Sequence, residues 1–418
     1  MYFICMFILM SLRCVLPTNL IERMHMLSAA HRAIVTATVP LLETGGEALT
    51  RHFYLTLFAD FPEVVPYFNQ ANQHDGKQQR ALANAVLLYA RNIEKLEGLG
   101  PLVGTIVNKH VSLQILPAHY PMVGASLLKA IRAVLGAEIA TDAVIDAWAA
   151  AYGQLADILS GAETQLYAAQ LATRGGWNGA RPFTVLSKTA ESAEITSFVL
   201  VPADGQPVMA HAPGQYIGLH VQIDGQSFRR QYSLSAIANG ATYRISVKRE
   251  PMGKVSGFLH DRVQEGDTLE LFPPAGAFVL AASGKPLVLI SGGVGITPTL
   301  SMLDAALATG RDIHFIHAAR DSHVHAFRDH IDALAQRHPQ LRRYYCYGAP
   351  TATCPAADAS GYIDADLLQQ WLPASRDVDA YFLGPLPFMQ AMRRNLRALG
   401  VPEEQTHYEF FGPASALQ

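Results

Sequence analysis

From residue 28 to about residue 167 the apolar positions recur every three or four residues and no segment alternates with period two. That periodicity predicts helices throughout. Gly45-Gly46, Pro62, Pro66, residues 98–101, Pro117, Pro121 and Gly136 punctuate the stretch as an all-helical domain of ordinary size would require. After a glycine-rich linker at residues 173–182 the rhythm changes. Residues 183–185, 195–201, 215–223, 229–234, 243–248 and 268–272 are short β-branched or aromatic runs divided by Gly, Pro and Asp turns, the pattern of a small antiparallel barrel, with one helix at 255–260. From residue 286 it changes again. An apolar run at 286–290 leads into a glycine-rich turn and a helix at 299–308, and further apolar runs at 313–317, 343–347 and 380–383 alternate with helical stretches. Continuous apolar runs of this kind mark parallel strands buried on both faces and joined by crossover helices. The fold class is multidomain: an all-α domain, an antiparallel β-barrel and an α/β domain.

Composition narrows the functions open to such a chain. At 418 residues it exceeds what one core supports. Half the residues are hydrophobic and 16% charged, as in globular proteins. The net charge of −3 comes from interspersed signs without a basic run, so nucleic acid is not an expected partner. Cys5, Cys14, Cys346 and Cys354 form neither C-x-x-C pairs nor a C-x-x-C-H haem attachment, which argues against structural zinc, disulfides and thioether-linked haem and fits a reducing compartment. Residues 1–10 are strongly apolar and precede Arg13, but the run is short for a membrane span and lacks the basic region of a secretory signal. Residues 1–25 read as an extension before a start at Met26-Leu27-Ser28, with a membrane-touching leader as the alternative. No stable membrane span is expected.

Several strings could carry chemistry. Ser291-Gly292-Gly293-Val294-Gly295-Ile296-Thr297-Pro298 follows an apolar strand and opens a helix, where glycines let backbone N–H groups approach a pyrophosphate and the helix dipole favours the anion. A purely structural turn is the alternative. On a barrel strand, Arg229-Arg230-Gln231-Tyr232-Ser233 offers a guanidinium to a diphosphate and an aromatic ring to a flat heterocycle. In the helical part, Val103, Ile106, Val107 and His110 share one helix face, so an imidazole projects from an apolar stripe. By spacing alone a satisfied core histidine is the commoner outcome. Tyr54 stands among Phe53, Leu57 and Phe58, where its phenol needs a partner, either a small oxygen ligand or a backbone carbonyl. Trp148, Tyr152, Leu155 and Leu159 step along one face and the next position on it is Glu163, a carboxylate either buried and paired or exposed at a helix end.

Taken in order, Pro213-Gly214-Gln215-Tyr216, Arg230-Gln231-Tyr232-Ser233, the Gly253-Lys254-Val255-Ser256 helix start and the nucleotide turn resemble the ferredoxin reductase-like flavoproteins. The helical half, with His52-Phe53-Tyr54, Phe61-Pro62, Tyr67-Phe68, Asn72-Gln73, Gln78, Lys109-His110 and Tyr120, resembles the globins. Joined through Gly175-Gly176-Trp177 and ending in His407-Tyr408-Glu409-Phe410-Phe411-Gly412-Pro413, the chain from about residue 26 to 413 resembles the flavohaemoglobins. The resemblance implies a globin haem domain at 26–170, a linker at 171–182, an FAD-binding barrel at 183–283 and an NAD(P)H-binding α/β domain at 284–418. It implies haem b on His110, with Tyr54 and Gln78 opposite it and Tyr120 and Glu163 behind it. Phe68, Leu82 and Lys109 join the haem side. FAD falls to Tyr216, Arg230, Gln231, Tyr232, Ser233, Gly253, Val255 and Ser256, and the nicotinamide coenzyme to Gly293, Val294, Gly295, Ile296, Thr297 and Pro298. Glu409, Phe410, Phe411, Gly412 and Pro413 would cap the flavin. The implied activity is that of a cytoplasmic, monomeric nitric oxide dioxygenase turning NO and O2 into nitrate with NAD(P)H. A haem oxidase or peroxide reductase on the same electron path and an oxygen-binding or sensing globin are the alternatives. Two positions depart from the usual pattern: Leu383-Gly384-Pro385 and Glu409-Phe410-Phe411 lack the cysteines that line the nicotinamide approach in relatives.

Overall fold

The computed structural model describes residues 27–68, 85–350 and 357–411, apart from the side chains of residues 97, 98 and 101. The chain divides into two compact units, Met1–Ala169 and Gln170–Gln418.

The first unit is helical. Helix α1 (Ala29–Thr44) opens on Ser28, whose hydroxyl accepts the N–H of His31 at 3.1 Å. Helix α2 (Gly46–Asp60) buries Leu49, Phe53 and Leu57 at four-residue spacing, with Thr50 and Tyr54 one position on. A 3-10 turn, Pro62–Tyr67, follows. Helix α3 (Gly100–Leu113) carries His110 in its last turn and stops where Gln114 takes a left-handed conformation. Helix α4 (Tyr120–Ile139) is broken near its end by Gly136 at φ 73°, and α5 (Asp142–Ala172) is the longest at 31 residues. Trp148 on α5 donates its indole N–H to the Thr38 hydroxyl of α1 at 2.9 Å inside the apolar core, so this pair fixes two distant helices by one satisfied polar contact.

Among the described residues the second unit holds two six-stranded sheets. The first comprises β1 (Arg181–Ala190), β2 (Ile195–Pro202), β3 (Tyr216–Ile223), β4 (Gln226–Ser233), β5 (Tyr243–Lys248) and β6 (Thr268–Ala275), ordered β4-β3-β6-β1-β2-β5. Every neighbouring pair is antiparallel, and a bridge between Leu234 and Ile245 brings the two edge strands together. Alternate residues such as Ile217, Leu219 and Val221 fill the interior, under helix α6 (Lys254–Asp261).

The second sheet is parallel: β7 (Leu287–Gly292), β8 (Ile313–Ala319), β9 (Leu341–Tyr347), β10 (Ala359–Ser360), β11 (Asp379–Leu383) and β12 (Thr406–Tyr408), ordered β10-β9-β8-β7-β11-β12. Helices α7 (Ile296–Leu307) and α8 (Arg328–Arg337) pack with Leu287 and Leu289 on one face. Helices α9 (Ala365–Trp371) and α10 (Leu386–Ala398) pack with Val288 and Ile290 on the other. The strand order reverses at β7, which has β8 on one side and β11 on the other. In such sheets the crevice for a ligand lies beyond the carboxyl ends of the strands at that reversal.

Candidate functional site

His110 is organised from behind. Its Nδ1–H donates to Glu163 Oε1 at 2.7 Å, Tyr120 donates its hydroxyl proton to the same oxygen at 2.6 Å, and the two donors stand 3.2 Å apart. Glu163 is wholly buried, at 0% exposure. A buried carboxylate is costly unless it accepts hydrogen bonds, and here one oxygen takes two. Burial and the neighbouring Glu163 charge both drive the Tyr120 phenol well above its ordinary pKa, so it stays a donor. Tyr152 on α5 donates to the Tyr120 carbonyl at 2.8 Å, and Tyr167 to the Ile115 carbonyl at 2.9 Å, clamping the turn between α3 and α4 against the helix that supplies Glu163. With Nδ1–H committed, the imidazole keeps its Nε2 lone pair for a ligand. The His110 side chain is 31% exposed.

Tyr54 lies 5.5 Å from Phe58 and 5.6 Å from Phe68, ring centre to ring centre, and its desolvated hydroxyl is held above the ordinary tyrosine value. Phe58, Phe68, Val103 and Ile106 are apolar yet only half-buried. Half-buried apolar side chains, a buried phenol and a single imidazole with a free Nε2 fit a haem b, whose faces are apolar and whose iron takes one protein nitrogen. Gln78 and Leu82 lie outside the described residues. Lys109, next to His110, is half-buried.

The residues expected to hold a flavin come together through strand register. Tyr216 pairs with Ser233, Gly218 with Gln231 and Leu219 with Arg230 along β3 and β4. Period-two alternation puts Arg230 and Tyr232 on one side of β4 and Ser233 on the other. Arg230 donates to the Arg229 carbonyl at 2.7 Å and has no carboxylate partner among the described residues; burial pulls its guanidinium below the usual arginine value. A half-buried guanidinium without a counter-ion fits an anionic diphosphate. Gly253 precedes α6, and a Cβ there would meet Ser256 Oγ at 2.2 Å. Ser256 itself accepts the Glu250 N–H at 3.1 Å, while the side chain of Val255 is buried in the barrel core, so Val255 offers a ligand only its main chain.

The nucleotide turn joins β7 to α7. Gly293 adopts φ 55°, and a Cβ on Gly295 would stand 2.4 Å from the Leu383 carbonyl oxygen, so the turn is pressed against the end of β11 at the strand-order reversal. Ile296, Thr297 and Pro298 are buried, with the Thr297 hydroxyl donating to the Val294 carbonyl at 3.0 Å; only Gly293 and Val294 are part-exposed. Leu383 is fully buried among the residues that pack α7, so it supports the turn from beneath. Beyond β12, Phe410 packs on the core of the α/β sheet, whereas Phe411 is 53% exposed and open to cover a flat ligand. Glu409 is half-buried, and Gly412 and Pro413 lie outside the described residues. Tyr152 and Tyr167 are contacts behind the histidine that the sequence did not single out; for Tyr152 the place in the chain is the apolar face of α5, and its phenol in that series was the available signal.

A carboxylate-backed histidine in a helical unit, followed by a flavin-type barrel and a nucleotide-binding parallel sheet, defines an electron-transfer haem protein with its own reductase. The globin family matches residues 51–159, the "Oxidoreductase FAD-binding domain" residues 182–280 and the "Oxidoreductase NAD-binding domain" residues 289–394. The flavohemoprotein of Pseudomonas putida is 64% identical over 393 residues, covering 94% of this chain and 100% of the relative, and that of Burkholderia sp. strain TH2 is 65% identical over 392 residues with the same coverage. The chain belongs to the flavohemoprotein family. Among solved structures, a flavohemoglobin from Malassezia yamatoensis with bound FAD and heme is similar at a TM-score of 0.81 and 26% identity, over 92% of this chain and 100% of that one. The FAD/NAD-binding domain of a nitric oxide dioxygenase from Vibrio cholerae matches at 38% identity and a TM-score of 0.53, over 57% of this chain and 100% of its own.

Proposed function

We propose that the chain is a nitric oxide dioxygenase in which NAD(P)H reduces FAD and the flavin passes electrons to a b-type haem. Two NO, two O2 and one NAD(P)H give two nitrates, NAD(P)+ and a proton. The observation that carries the reading is the buried Glu163 behind His110, joined to a reductase module on the same chain. A passive oxygen carrier needs neither. When bound, the haem supplies an iron for dioxygen and the flavin converts a two-electron donor into single-electron deliveries. His110 would hold the iron through Nε2 while Glu163 keeps the proton on Nδ1, which raises the basicity of the ligating nitrogen. Tyr54, with its proton retained by burial, would donate a hydrogen bond within the haem site, and the family resemblance assigns Gln78 to the same task. The family resemblance assigns Phe68, Leu82 and Lys109 to the haem surroundings as well.

In the reductase, Arg230 and the start of α6 would neutralise the diphosphate, Tyr232 would lie against the ring system from the Arg230 face of β4, and Tyr216, Gln231 and Ser233 would contribute from the other face. The turn from Gly293 to Pro298 would take the coenzyme and Phe411 would cover the flavin, and the family resemblance assigns Glu409, Phe410, Gly412 and Pro413 to the same cap. Action as a monomer in the cytoplasm rests on the family resemblance. No helix among the described residues is long and apolar enough to cross a membrane. Rapid mixing of the NADH-reduced, aerated protein with NO tests the reading: nitrate equal to the NO consumed is expected, and consumption of NADH and O2 that is indifferent to NO would replace it with a haem oxidase.

A further inference from the structure

The parallel sheet places a charged pair where the far end of the coenzyme must lie, and this inference rests on the coenzyme reading above. Ser291 pairs with His317 and Gly292 with Ala318, so the chain leaving β8 runs beside the glycine turn at Arg320. On its other side the Ala349 N–H donates to the Arg320 carbonyl at 2.7 Å, and Gly348 to Ala319 at 2.9 Å. Arg320 therefore stands at the carboxyl end of the second strand of the sheet, between the turn after the first and the loop after the third. In dinucleotide folds the pyrophosphate rests on the turn after the first strand, and the adenosine ribose reaches the end of the second. There an arginine accepts a 2′-phosphate and an acidic group favours a free 2′-hydroxyl.

This chain has both. The Arg320 guanidinium is ion-paired with Glu194, a residue of the β1–β2 turn of the barrel sheet. Arg320 is 67% exposed in its side chain and Glu194 30%, so the pair is reachable from solvent. An exposed ion pair is ordinarily worth little, but here the backbone that carries the carboxylate is fixed. Its carbonyl accepts the Arg249 N–H at 2.8 Å, and its own N–H and that of Ile195 both donate to Ser192 Oγ. Ala193 donates to the His323 carbonyl at 2.9 Å, tying the turn directly to the segment that follows Arg320. Asp321 is already engaged, capping the N–H groups of His323 and Val324. We infer that Glu194 determines coenzyme choice: it occupies Arg320 and sets a fixed carboxylate against any 2′-phosphate, so the adenosine-ribose subsite selects the unphosphorylated dinucleotide.

The test uses the full chain loaded with haem and FAD. Binding of 2′,5′-ADP and of 5′-ADP is measured by calorimetry, and anaerobic flavin reduction is followed with NADPH and NADH. In the unaltered chain NADH is the preferred donor. In Glu194→Gln the affinity for 2′,5′-ADP rises at least fivefold relative to 5′-ADP, and the NADH-to-NADPH ratio of kcat/KM falls by a similar factor. Adding Arg320→Leu to that variant abolishes the gain, because the freed guanidinium is what takes the phosphate. Glu194→Gln with normal flavin content and an unchanged ratio overturns the role of Glu194, as does a gain that survives Arg320→Leu. If neither coenzyme bleaches the flavin of the unaltered chain, the oxidoreductase reading itself falls, an outcome distinct from reduction by NADH with unaltered discrimination.

Discussion

Glu163 shows how much one residue carries. Its position four places after Leu159 on an apolar stripe makes it anomalous in the sequence, because a carboxylate in a packed stripe must find donors. Which donors it finds depends on a histidine 53 residues away and a tyrosine 43 away, and no periodicity links them. Replacement by glutamine keeps the shape and removes the charge. Glu163→Gln is expected to raise the reduction potential of the haem and to lower NO-dependent turnover by about 10- to 100-fold, the range for partners behind a metal ligand. Redox titration with turnover at saturating NADH checks this, and an unaltered potential would reduce Glu163 to a packing role. His110→Ala is expected to purify with flavin and little haem. A normal haem spectrum from that variant would show that iron sits on another residue.

Among the elements, the nucleotide turn is the most constrained. Adding one methyl group at Gly295 sets a carbon 2.4 Å from the Leu383 oxygen and 2.7 Å from its carbonyl carbon, and neither belongs to a flexible side chain. Gly295→Ala must therefore move backbone at the strand-order reversal. NADH-driven flavin reduction should fall at least ~10-fold in kcat/KM, a barrier change of about 1.4 kcal/mol, with flavin content preserved because the barrel is untouched. Stopped-flow bleaching against the flavin-to-protein absorbance ratio separates the two, and wild-type bleaching would mean that the turn yields freely. Element boundaries show which signals were readable. The sequence pattern starts the helix after the turn at residue 299, whereas α7 begins at Ile296. Pro298 falls in the first turn, where its missing N–H has no intrahelical partner to lose, so proline there starts a helix rather than ending a loop. Strands β10 and β12, of two and three residues, show no pattern because neither is long enough to alternate.

At the scale of the whole chain, stability in acid should be set by the second unit. His317 joins Ser291 at 2.8 Å, and its ring lies 4.5 Å from that of His325. Burial pulls His317 down to about 3, and burial with the nearby His317, Arg328 and Arg343 charges pulls His325 down as well. Both are therefore neutral when folded and take up protons on unfolding below their ordinary value of about 6.5. Their contribution is complete above that pH and is lost as the pH falls from there towards 3, at up to about 1.4 kcal/mol per pH unit for each ring. Amide exchange in β7, β8 and β9, corrected for intrinsic rates, should reveal the loss between pH 6.5 and 5. Protection that does not fall over that window would place charge or water on the pair.

What the sequence determined by itself was the order of architectures, because apolar periodicity is local: a helical period, then alternation, then continuous apolar runs with a glycine turn after the first. The motif strings along that order also carried the resemblance to one family. Tertiary structure decided everything that joins distant positions. It brought Tyr120 and Glu163 behind His110, pressed Gly295 onto Leu383, turned Val255 and Leu383 into the core, and set Glu194 against Arg320. These pairings arise from packing and strand register, where the closeness of two side chains is unrelated to their separation along the chain.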